Sequence, residues 1–318
     1  MSRDEVTWGG YAPWADTVLA CRREFVAVAR SFWLIPELIP LPARDDIALL
    51  YCVCRRLDDA IDEAPAAQAR AELARWRAEI AGRAAPRPLI AAFLVGASRS
   101  GLPLACMAHL LDGMELDLGA VRLADDDALL RYAYRVSAAV GLMLAPLLGV
   151  RGTGERVVDL GLALQLSNIL LGVAGDALRD RVYLPESRLA AAGLTFDDAI
   201  AAPAAARLRP VLCGIASLAD HYYRSAALGA ACVPLRYRHG VILLGRAYAA
   251  LGWRAARGEA APGVPGQLPR RVKAVRLLEL FATAWHPRTL GLVPPPPHDP
   301  ALHRAIAGWH GAHAGSPS

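Results

Sequence analysis

Apolar residues recur along this chain at spacings of three and four residues, and no stretch shows the sustained alternation typical of a β-strand. This periodicity predicts an all-α fold in a single domain. The predicted helices cover residues 16–34, 44–63, 66–82, 86–98, 102–119, 126–148, 154–177, 203–230, 233–258 and 268–284. In addition, Thr195-Phe196-Asp197-Asp198 resembles a capping box, which marks a helix start.

The composition is that of a folded protein with a large core. The chain has 318 residues, of which 55% are hydrophobic and 20% charged, and this balance excludes a disordered protein. The net charge of +5 comes almost entirely from arginine, since Lys273 is the only lysine. No basic run interleaved with aromatic residues is present, so nucleic acid is not an expected partner. A modest positive charge suits a small phosphorylated substrate.

Compartment is indicated by the N-terminus and the cysteines. The first five residues lack the basic and apolar regions of a signal peptide. The longest nearly apolar run, 136–150, is short for a membrane span and contains Pro146. The six cysteines follow no disulfide or zinc spacing, so we expect them to be reduced. We therefore expect a cytoplasmic protein without a transmembrane segment; peripheral membrane contact and oligomeric state stay open.

We divide the chain into an N-terminal segment, 1–15, a helical domain, 16–285, and a Pro-rich C-terminal tail, 286–318. Beyond Pro294 we expect this tail to pack loosely or to be disordered. Its histidines are expected on a solvated segment, and those of the helical domain are expected to be structural. The tail histidines considered are His298, His303, His310 and His313; the others considered are His109, His221 and His239.

The most informative polar pattern lies at the end of the helix predicted over 44–63. Asp58 and Asp62 are four residues apart and therefore lie one turn apart on the same helix face. Two like charges in this arrangement destabilise a helix unless a cation lies between them, and paired carboxylates suit Mg²⁺. Arg55, one turn earlier, is placed to bind a phosphate oxygen. The alternative is a solvated acidic helix end, but the apolar run before the acids indicates a buried helix.

A second polar pattern interrupts a later, almost wholly apolar helix. Asn168, Gly172 and Asp176 follow at intervals of four, on one face, and Gln165 lies a turn earlier. An oxygen ligand at all three positions would complete a metal site, but the middle position is glycine. Glycine inside a helix costs about 1 kcal/mol relative to alanine. Gly172 and Gly175 therefore indicate room for a ligand rather than helix stability.

These two patterns, in this order, resemble those of the squalene/phytoene synthase family, and the resemblance covers roughly residues 20–284. The motifs that carry it are Arg30-Ser31-Phe32, Leu41-Pro42-Ala43-Arg44, residues 51–62, Gly113-Met114-Glu115-Leu116-Asp117, residues 132–141, residues 165–170 and Arg181-Val182-Tyr183-Leu184-Pro185. Because several ordered motifs agree, the chain is identified as a divergent member of this family.

The resemblance implies an isoprenoid-synthase helical bundle, in which aspartate helices face each other across a central apolar cavity. It also implies Mg²⁺-dependent ionisation of prenyl diphosphates, two of which family members typically join head to head. The implied catalytic residues are Asp58, Asp62 and Asp176, which with Asn168 would also hold the metal. The implied substrate-binding residues are Arg30, Arg55, Gln165, Asn168, Tyr248 and Arg271.

The second motif departs from the usual family pattern, Asn-x-x-Arg-Asp-x-x-Glu-Asp. The corresponding positions hold Asn168, Leu171, Gly172, Gly175 and Asp176, so one cation and two carboxylates are lost. We expect a reduced capacity for a second diphosphate. We therefore predict a prenyltransferase of secondary metabolism that moves one prenyl group to a non-isoprenoid, aromatic (carbazole-type) acceptor and releases diphosphate.

Two alternatives stay open. One is head-to-head condensation of two prenyl diphosphates despite the weakened motif. The other is a metal-poor protein that stabilises a partner synthase, against which the intact Asp58 and Asp62 pair argues. For the aromatic reaction, Asp117, Glu115 and the leaving diphosphate are candidate bases for the ring proton. Donor chain length and the acceptor are not fixed by these patterns.

Overall fold

The structure is a computed structural model, and it describes residues 12–29, 39–41, 43–150, 152, 154–203, 205–259, 287 and 289–313. The described residues form an all-helical fold, which confirms the predicted fold class. They fall into two compact units: residues up to Leu118 together with Met143–Val150, and Gly119–Leu142 together with the residues that follow 150.

In the part of the chain that the structure describes, the residues of the first unit up to Leu118 form five helices. After a 3₁₀ turn, Ala12–Trp14, they are α1 (Ala15–Ala29), α2 (Ala43–Asp62), α3 (Ala66–Ile80), α4 (Pro88–Ser100) and α5 (Leu104–Leu116). The bounds of α2 to α5 lie close to the predicted ones. The end predicted for α1, at residue 34, lies outside the described residues.

Buried ion pairs hold the N-terminal end of α2. The Asp45 carboxylate accepts two hydrogen bonds from the Arg22 guanidinium of α1, at 2.7 and 2.8 Å. The Asp46 carboxylate accepts hydrogen bonds from Arg99 (2.5 Å) and from the Ser100 hydroxyl (2.7 Å), both of α4. Negative charge is also favoured in the first turn of a helix. These bonds join α2 to its two neighbours and fix the helix whose other end carries the predicted metal ligands.

From Gly119 onward two short parallel strands and further helices follow. They are β1 (Val121–Arg122), α6 (Asp126–Ala133), a π-helical turn (Tyr134–Ala138), α7 (Ala139–Leu147), α8 (Gly154–Ala177), β2 (Arg181–Val182), α9 (Glu186–Ala191), α10 (Phe196–Ala201), α11 (Arg209–Leu228) and α12 (Leu235–Ala256), with 3₁₀ turns at Ala206–Leu208, Ala230–Cys232 and Pro300–Ile306. In the strand pair, Val121 lies opposite Arg181. Helix α8 packs against both α11 and α12.

The longer helices of this unit match the predicted ones, but shorter elements escape the periodicity. Helices α9 and α10 and the two strands are too short to show a period. The capping box is confirmed: the Thr195 hydroxyl accepts from the Asp198 amide at 3.2 Å, and the Asp198 carboxylate accepts from the Thr195 amide at 2.9 Å. Helix α11 begins at Arg209, later than the predicted 203. The helix predicted over 268–284 lies outside the described residues.

The expectation of a loose C-terminal tail is wrong for its described part, 289–313. Tyr134 and Tyr222 donate hydrogen bonds from their hydroxyls to the carbonyls of His310 (2.6 Å) and Leu302 (2.8 Å). His303, expected in solvent, is fully buried. The Pro-rich, polar composition of this segment is typical of a loose tail. Tyrosine hydroxyls of the second unit nevertheless donate hydrogen bonds to two of its backbone carbonyls, those of His310 and Leu302. The domain boundaries assigned above remain predictions.

Among the described residues, two helices are long and apolar enough, by length and composition, to cross a membrane. They are the continuous helix Asp126–Leu147 and α8, and half of each apolar window is buried inside the structure. Core helices of soluble proteins pass the same test, so this is weak evidence for a span. The expectation from the sequence rests only on the run 136–150 and does not single out α8. The absence of a transmembrane segment stays a prediction.

Gly161 allows α8 to approach the π-helical turn closely. A Cβ atom at this position would lie 2.4 Å from the Cα of Ala138. Since that neighbour is backbone, Gly161→Ala is expected to destabilise the protein by about 1–3 kcal/mol. The matched control is Gly175→Ala in the same helix, where no atom lies within 4 Å of the added Cβ. It should stabilise by about 0.5–1 kcal/mol. Thermal unfolding measures both, and a Gly161→Ala protein as stable as the wild type would contradict the packing.

Candidate functional site

The first group of candidate residues lies in the last two turns of α2. The side chains of Asp58 and Asp62 are exposed to solvent there. Arg55 binds the Asp59 carboxylate at 2.9 Å, and its own side chain is 52% exposed. An exposed ion pair of this kind contributes no more than about 1 kcal/mol. Arg55 can therefore exchange its carboxylate partner for a phosphate oxygen at little cost.

The pKa of Asp58 is raised to about 6. The larger cause is partial loss of hydration, because the surrounding protein displaces part of the water around this side chain. The second cause is repulsion by the Asp62 carboxylate, to which Asp59 and Asp117 add, while Arg55 opposes it. Carboxylates that repel one another gain when a cation binds between them. Their oxygens fit the chemistry of a hard divalent cation such as Mg²⁺.

The structure separates the two protein carboxylates considered as bases. Asp117, directly after α5, is buried and lies near enough to Asp58 for its charge to raise the pKa of Asp58. Glu115 is 63% exposed and accepts a hydrogen bond from Arg77 at 2.9 Å. We call Asp58, Asp59, Asp62 and the neighbouring Asp117 the α2 carboxylate cluster. Glu115 does not belong to it.

The second group lies on α8. Asn168 is exposed, while Gln165 and Asp176 are half-buried. The Asp176 carboxylate folds back along the helix, so that Oδ2 lies 2.8 Å from where a Cβ atom at Gly172 would be. Gly172 therefore gives this carboxylate room that a larger residue would remove. Gly175 has no comparable neighbour.

A small open cleft lies beside Asp176. Its empty volume is about 230 Å³, including solvent at its mouth. The lining is mainly apolar and consists of Ile169, Val173, Ala177, Val182, Tyr183, Leu184 and Ala199, with Asp176 and Arg181 as charged members. Ligand pockets are usually larger, so the cleft is an apolar surrounding of Asp176 rather than a complete binding site.

Tyr248 of α12 lies in a buried polar group. Burial raises its pKa, and the same cause, with Tyr248 as a neighbour, raises the pKa of Tyr223 of α11. The hydroxyl of Tyr223 is hydrogen-bonded to that of Ser167 of α8 at 2.9 Å. Ser167 was not among the sequence candidates, although it lies inside the second motif between Gln165 and Asn168. Its signal was weak because serine also occurs as an ordinary buried helix residue.

Two of the predicted substrate-binding residues are not among the described ones. Arg30 and Arg271 lie outside the described residues. The motifs around Tyr132 and Tyr183, about fifty positions apart, do meet: their rings stack with centroids 4.6 Å apart. The candidate residues on α2 and those on α8 belong to different compact units.

The helical fold of this chain has counterparts among solved structures. A crystal structure of a dehydrosqualene synthase matches with a TM-score of 0.69 and 22% identity, covering 86% of this chain and 98% of that one. Squalene synthase HpnC from Alicyclobacillus acidocaldarius matches with a TM-score of 0.65 and 20% identity, covering 80% and 99%. At these identities the likeness shows the fold.

Sequence comparison gives the family. The squalene/phytoene synthase model matches residues 25–277. A 15-cis-phytoene synthase from Paracoccus sp. is 34% identical over 257 residues, which cover 77% of this chain and 84% of that protein. A presqualene diphosphate synthase from Rhodopseudomonas palustris is 33% identical over 261 residues, covering 80% and 94%. The chain therefore belongs to the squalene/phytoene synthase family, whose members are prenyltransferases.

The raised pKa of Asp58 has a consequence for stability. Ionisation of this group is harder in the folded chain than at its ordinary value of 3.8, so its charge lowers stability as the pH rises from about 4 through about 6. Asp58→Asn is therefore expected to raise Tm near neutral pH in magnesium-free buffer. Near pH 3.8 the difference should largely vanish. Thermal unfolding at both pH values checks this, and an unchanged or lower Tm at neutral pH would contradict it.

Proposed function

We propose that this protein condenses two prenyl diphosphates head to head into a squalene- or phytoene-type product, with release of diphosphate. The structural observation that carries the proposal is the pair of stacked carboxylates, Asp58 and Asp62, one turn apart at the end of α2. Relatives of similar length, named phytoene synthase and presqualene diphosphate synthase, support the same type of reaction.

The aromatic, carbazole-type acceptor predicted from the weakened second motif has no support among these relatives. Their names point to the head-to-head alternative instead. The weakened motif also has a structural counterpart, because the Asp176 carboxylate extends over Gly172. We propose that Asp176 thereby reaches the space of the missing carboxylate at position 172, so that one acid partly replaces two.

On the family resemblance, Asp58 and Asp62 of α2 and Asp176 and Asn168 of α8 are each proposed as Mg²⁺ ligands, and bound Mg²⁺ would neutralise charge on the leaving diphosphate. The raised pKa of Asp58, caused by partial dehydration and by repulsion from Asp62, is the observation that fits such an ion at α2. A cytoplasmic location belongs to the same proposal.

The remaining candidates are assigned by their hydrogen-bonding chemistry. Arg55 is exposed and can bind phosphate oxygens through two parallel N–H donors. Gln165 and Asn168 offer amide N–H donors to the substrate. The phenol of Tyr248 has an ordinary pKa of 10, which burial raises further, so near neutral pH it is protonated and available as a hydrogen-bond donor. Arg30 and Arg271 are proposed as diphosphate contacts on the family resemblance alone.

Product analysis tests the reaction. The purified chain is incubated with Mg²⁺ and either farnesyl or geranylgeranyl diphosphate alone, and the products are identified by mass spectrometry. We expect a C30 or C40 hydrocarbon, or its cyclopropyl diphosphate precursor, without any aromatic compound. Parallel incubations contain carbazole and other electron-rich aromatics. A prenylated aromatic as the sole product would contradict the proposal, and silence in every mixture would favour the partner-stabilising alternative.

The role of the α2 carboxylates is tested by a matched pair of variants. Asp62→Asn removes one proposed ligand and is expected to lower kcat/KM by about 10²–10³-fold, because charge on the leaving group is then less well neutralised. Glu63→Gln removes the same charge from the next, exposed position and should keep most of the activity. Circular dichroism confirms folding of both. Equal losses in the two variants would show that only the overall charge matters.

A further inference from the structure

The second unit contains a buried group of side chains that the proposed reaction does not use. Asp159 lies on α8, and His298 and His303 come from the C-terminal segment. The Nε2 atom of His298 lies 2.9 Å from Asp159 Oδ2, and that of His303 lies 3.1 Å from Oδ1. The three side chains are 0%, 3% and 0% exposed, respectively. We call this group the Asp–His–His cluster.

The donor atoms of the Asp–His–His cluster converge. One atom from each residue can be chosen so that all lie within 4.8 Å of one another. Two imidazole nitrogens and one carboxylate oxygen are typical ligands of Zn²⁺ and similar transition-metal ions, whereas Mg²⁺ prefers oxygen. Zinc bonds of about 2.0–2.1 Å place tetrahedral ligands about 3.4 Å apart. The contacts of the two histidines with Asp159, 2.9 and 3.1 Å to different carboxylate oxygens, need to lengthen by a few tenths of an ångström. The widest separation among the three donor atoms, at most 4.8 Å, has to shorten on binding.

A second layer of hydrogen bonds orients two of these side chains. The Nδ1 atom of His298 lies 2.9 Å from Nε2 of His313. The Ser225 hydroxyl of α11 donates to Asp159 Oδ2 at 2.6 Å. Metal-binding histidines and carboxylates are usually held in this way by a neighbouring group. The arrangement thus resembles a ligand set whose rings and carboxylate are held in place.

One buried polar atom of the Asp–His–His cluster is not satisfied by hydrogen bonding within the part of the chain that the structure describes. The Nδ1 atom of His303 is buried and, among the described residues, has no hydrogen-bond partner. Such an atom costs about 1–3 kcal/mol when no partner compensates for lost water. An ion bound at Nε2 would leave this Nδ1 atom as it is, so the case for a metal rests on the convergence of the donor atoms and on the buried charge of Asp159.

The charge of Asp159 is only partly balanced by protein. The guanidinium of Arg156 approaches Asp159 Oδ2 to 3.8 Å, the outer limit of an ion pair. Its shorter hydrogen bonds go to the Ser225 hydroxyl (2.5 Å), which itself donates to Asp159, and to the carbonyls of Ser225 (3.1 Å) and Pro296 (3.0 Å). A buried carboxylate with so distant a counterion retains an affinity for a further cation.

We propose that Asp159, His298 and His303 bind one divalent transition-metal ion, with Zn²⁺ as the best-suited ion, and that this ion attaches the C-terminal segment to α8. His298 and His303 follow Asp159 by 139 and 144 positions along the chain. An ion that joins such distant positions restricts the unfolded chain and contributes its binding energy to folding. We assign this ion no part in the proposed prenyl transfer. The α2 carboxylate cluster, which is proposed for that reaction, offers only oxygen ligands, and these suit Mg²⁺ rather than Zn²⁺.

The experiment uses the full chain, freed of metal with EDTA and then titrated with Zn²⁺ or with Co²⁺ as a spectroscopic probe. We expect about one equivalent of metal per chain, the visible absorption of tetrahedral Co²⁺, and a higher Tm with Zn²⁺ than without it. Folding is checked by circular dichroism for every protein. Binding of less than about a tenth of an equivalent, or a Tm that ignores zinc, would overturn the proposal.

Variants identify the ligands. His303→Gln, which keeps a hydrogen-bonding side chain of similar volume, and Asp159→Asn should both lose the Co²⁺ absorption while remaining folded. His313→Ala should weaken the affinity by about 10–100-fold. The matched control is His310→Ala, an exposed histidine of the same segment, which should bind as the wild type does. Equal binding by the His303→Gln and His310→Ala proteins would contradict the assignment.

A further variant separates this site from the one proposed for catalysis. Asp62→Asn alters the α2 carboxylate cluster and should leave zinc stoichiometry and the Co²⁺ spectrum unchanged. If Asp62→Asn instead abolishes zinc binding, the ion binds at α2 and the Asp–His–His site does not exist. Failure of prenyl transfer in the wild type would have no bearing on either readout.

Discussion

Two carboxylates that repel each other, one turn apart at the end of α2, are the feature on which the site depends. Partial dehydration and, after it, repulsion by Asp62 raise the pKa of Asp58. A helix end under such strain stays ordered only if the rest of the helix is firmly held. The buried ion pairs of Asp45 and Asp46 provide this hold at the opposite end, and breaking a buried pair typically costs about 3–5 kcal/mol. Stability at one end of α2 thus permits electrostatic tension at the other.

Helix α8 carries the second, weakened acidic motif. It has lost charged residues that the family pattern carries, and two of the positions are glycines. Gly172 lets Asp176 extend its carboxylate back along the helix, whereas Gly175 has no close neighbour. The substitutions therefore need not mean that the helix has lost its acidic function, which is why the weakened motif alone was a poor guide to the acceptor. The same helix carries Asp159 at its other end, where it meets the C-terminal segment.

Much of the fold was predictable because long amphipathic or buried helices leave a period in the sequence, as α2 and α8 do. The pair Asp58 and Asp62 was predictable for the same reason, since spacing within one helix fixes their relative position. Contacts between distant segments leave no such period. Nothing local distinguishes Asp45, bound by Arg22, from an exposed acid, or shows that His303 returns to Asp159 across 144 positions. Composition was misleading there, because a Pro-rich segment can be well packed when helices supply donors to its carbonyls.

The central claim is that the α2 carboxylates bind a divalent cation together with the diphosphate, and Mn²⁺ binding measured by electron paramagnetic resonance tests it most directly. The measurement uses a farnesyl diphosphate analogue that cannot ionise, so that no turnover intervenes. The account predicts that adding the analogue increases the amount of Mn²⁺ bound to the wild-type and Glu63→Gln proteins, with no such increase in the Asp58→Asn and Asp62→Asn proteins. Undiminished Mn²⁺ binding by the folded Asp58→Asn and Asp62→Asn variants would contradict it.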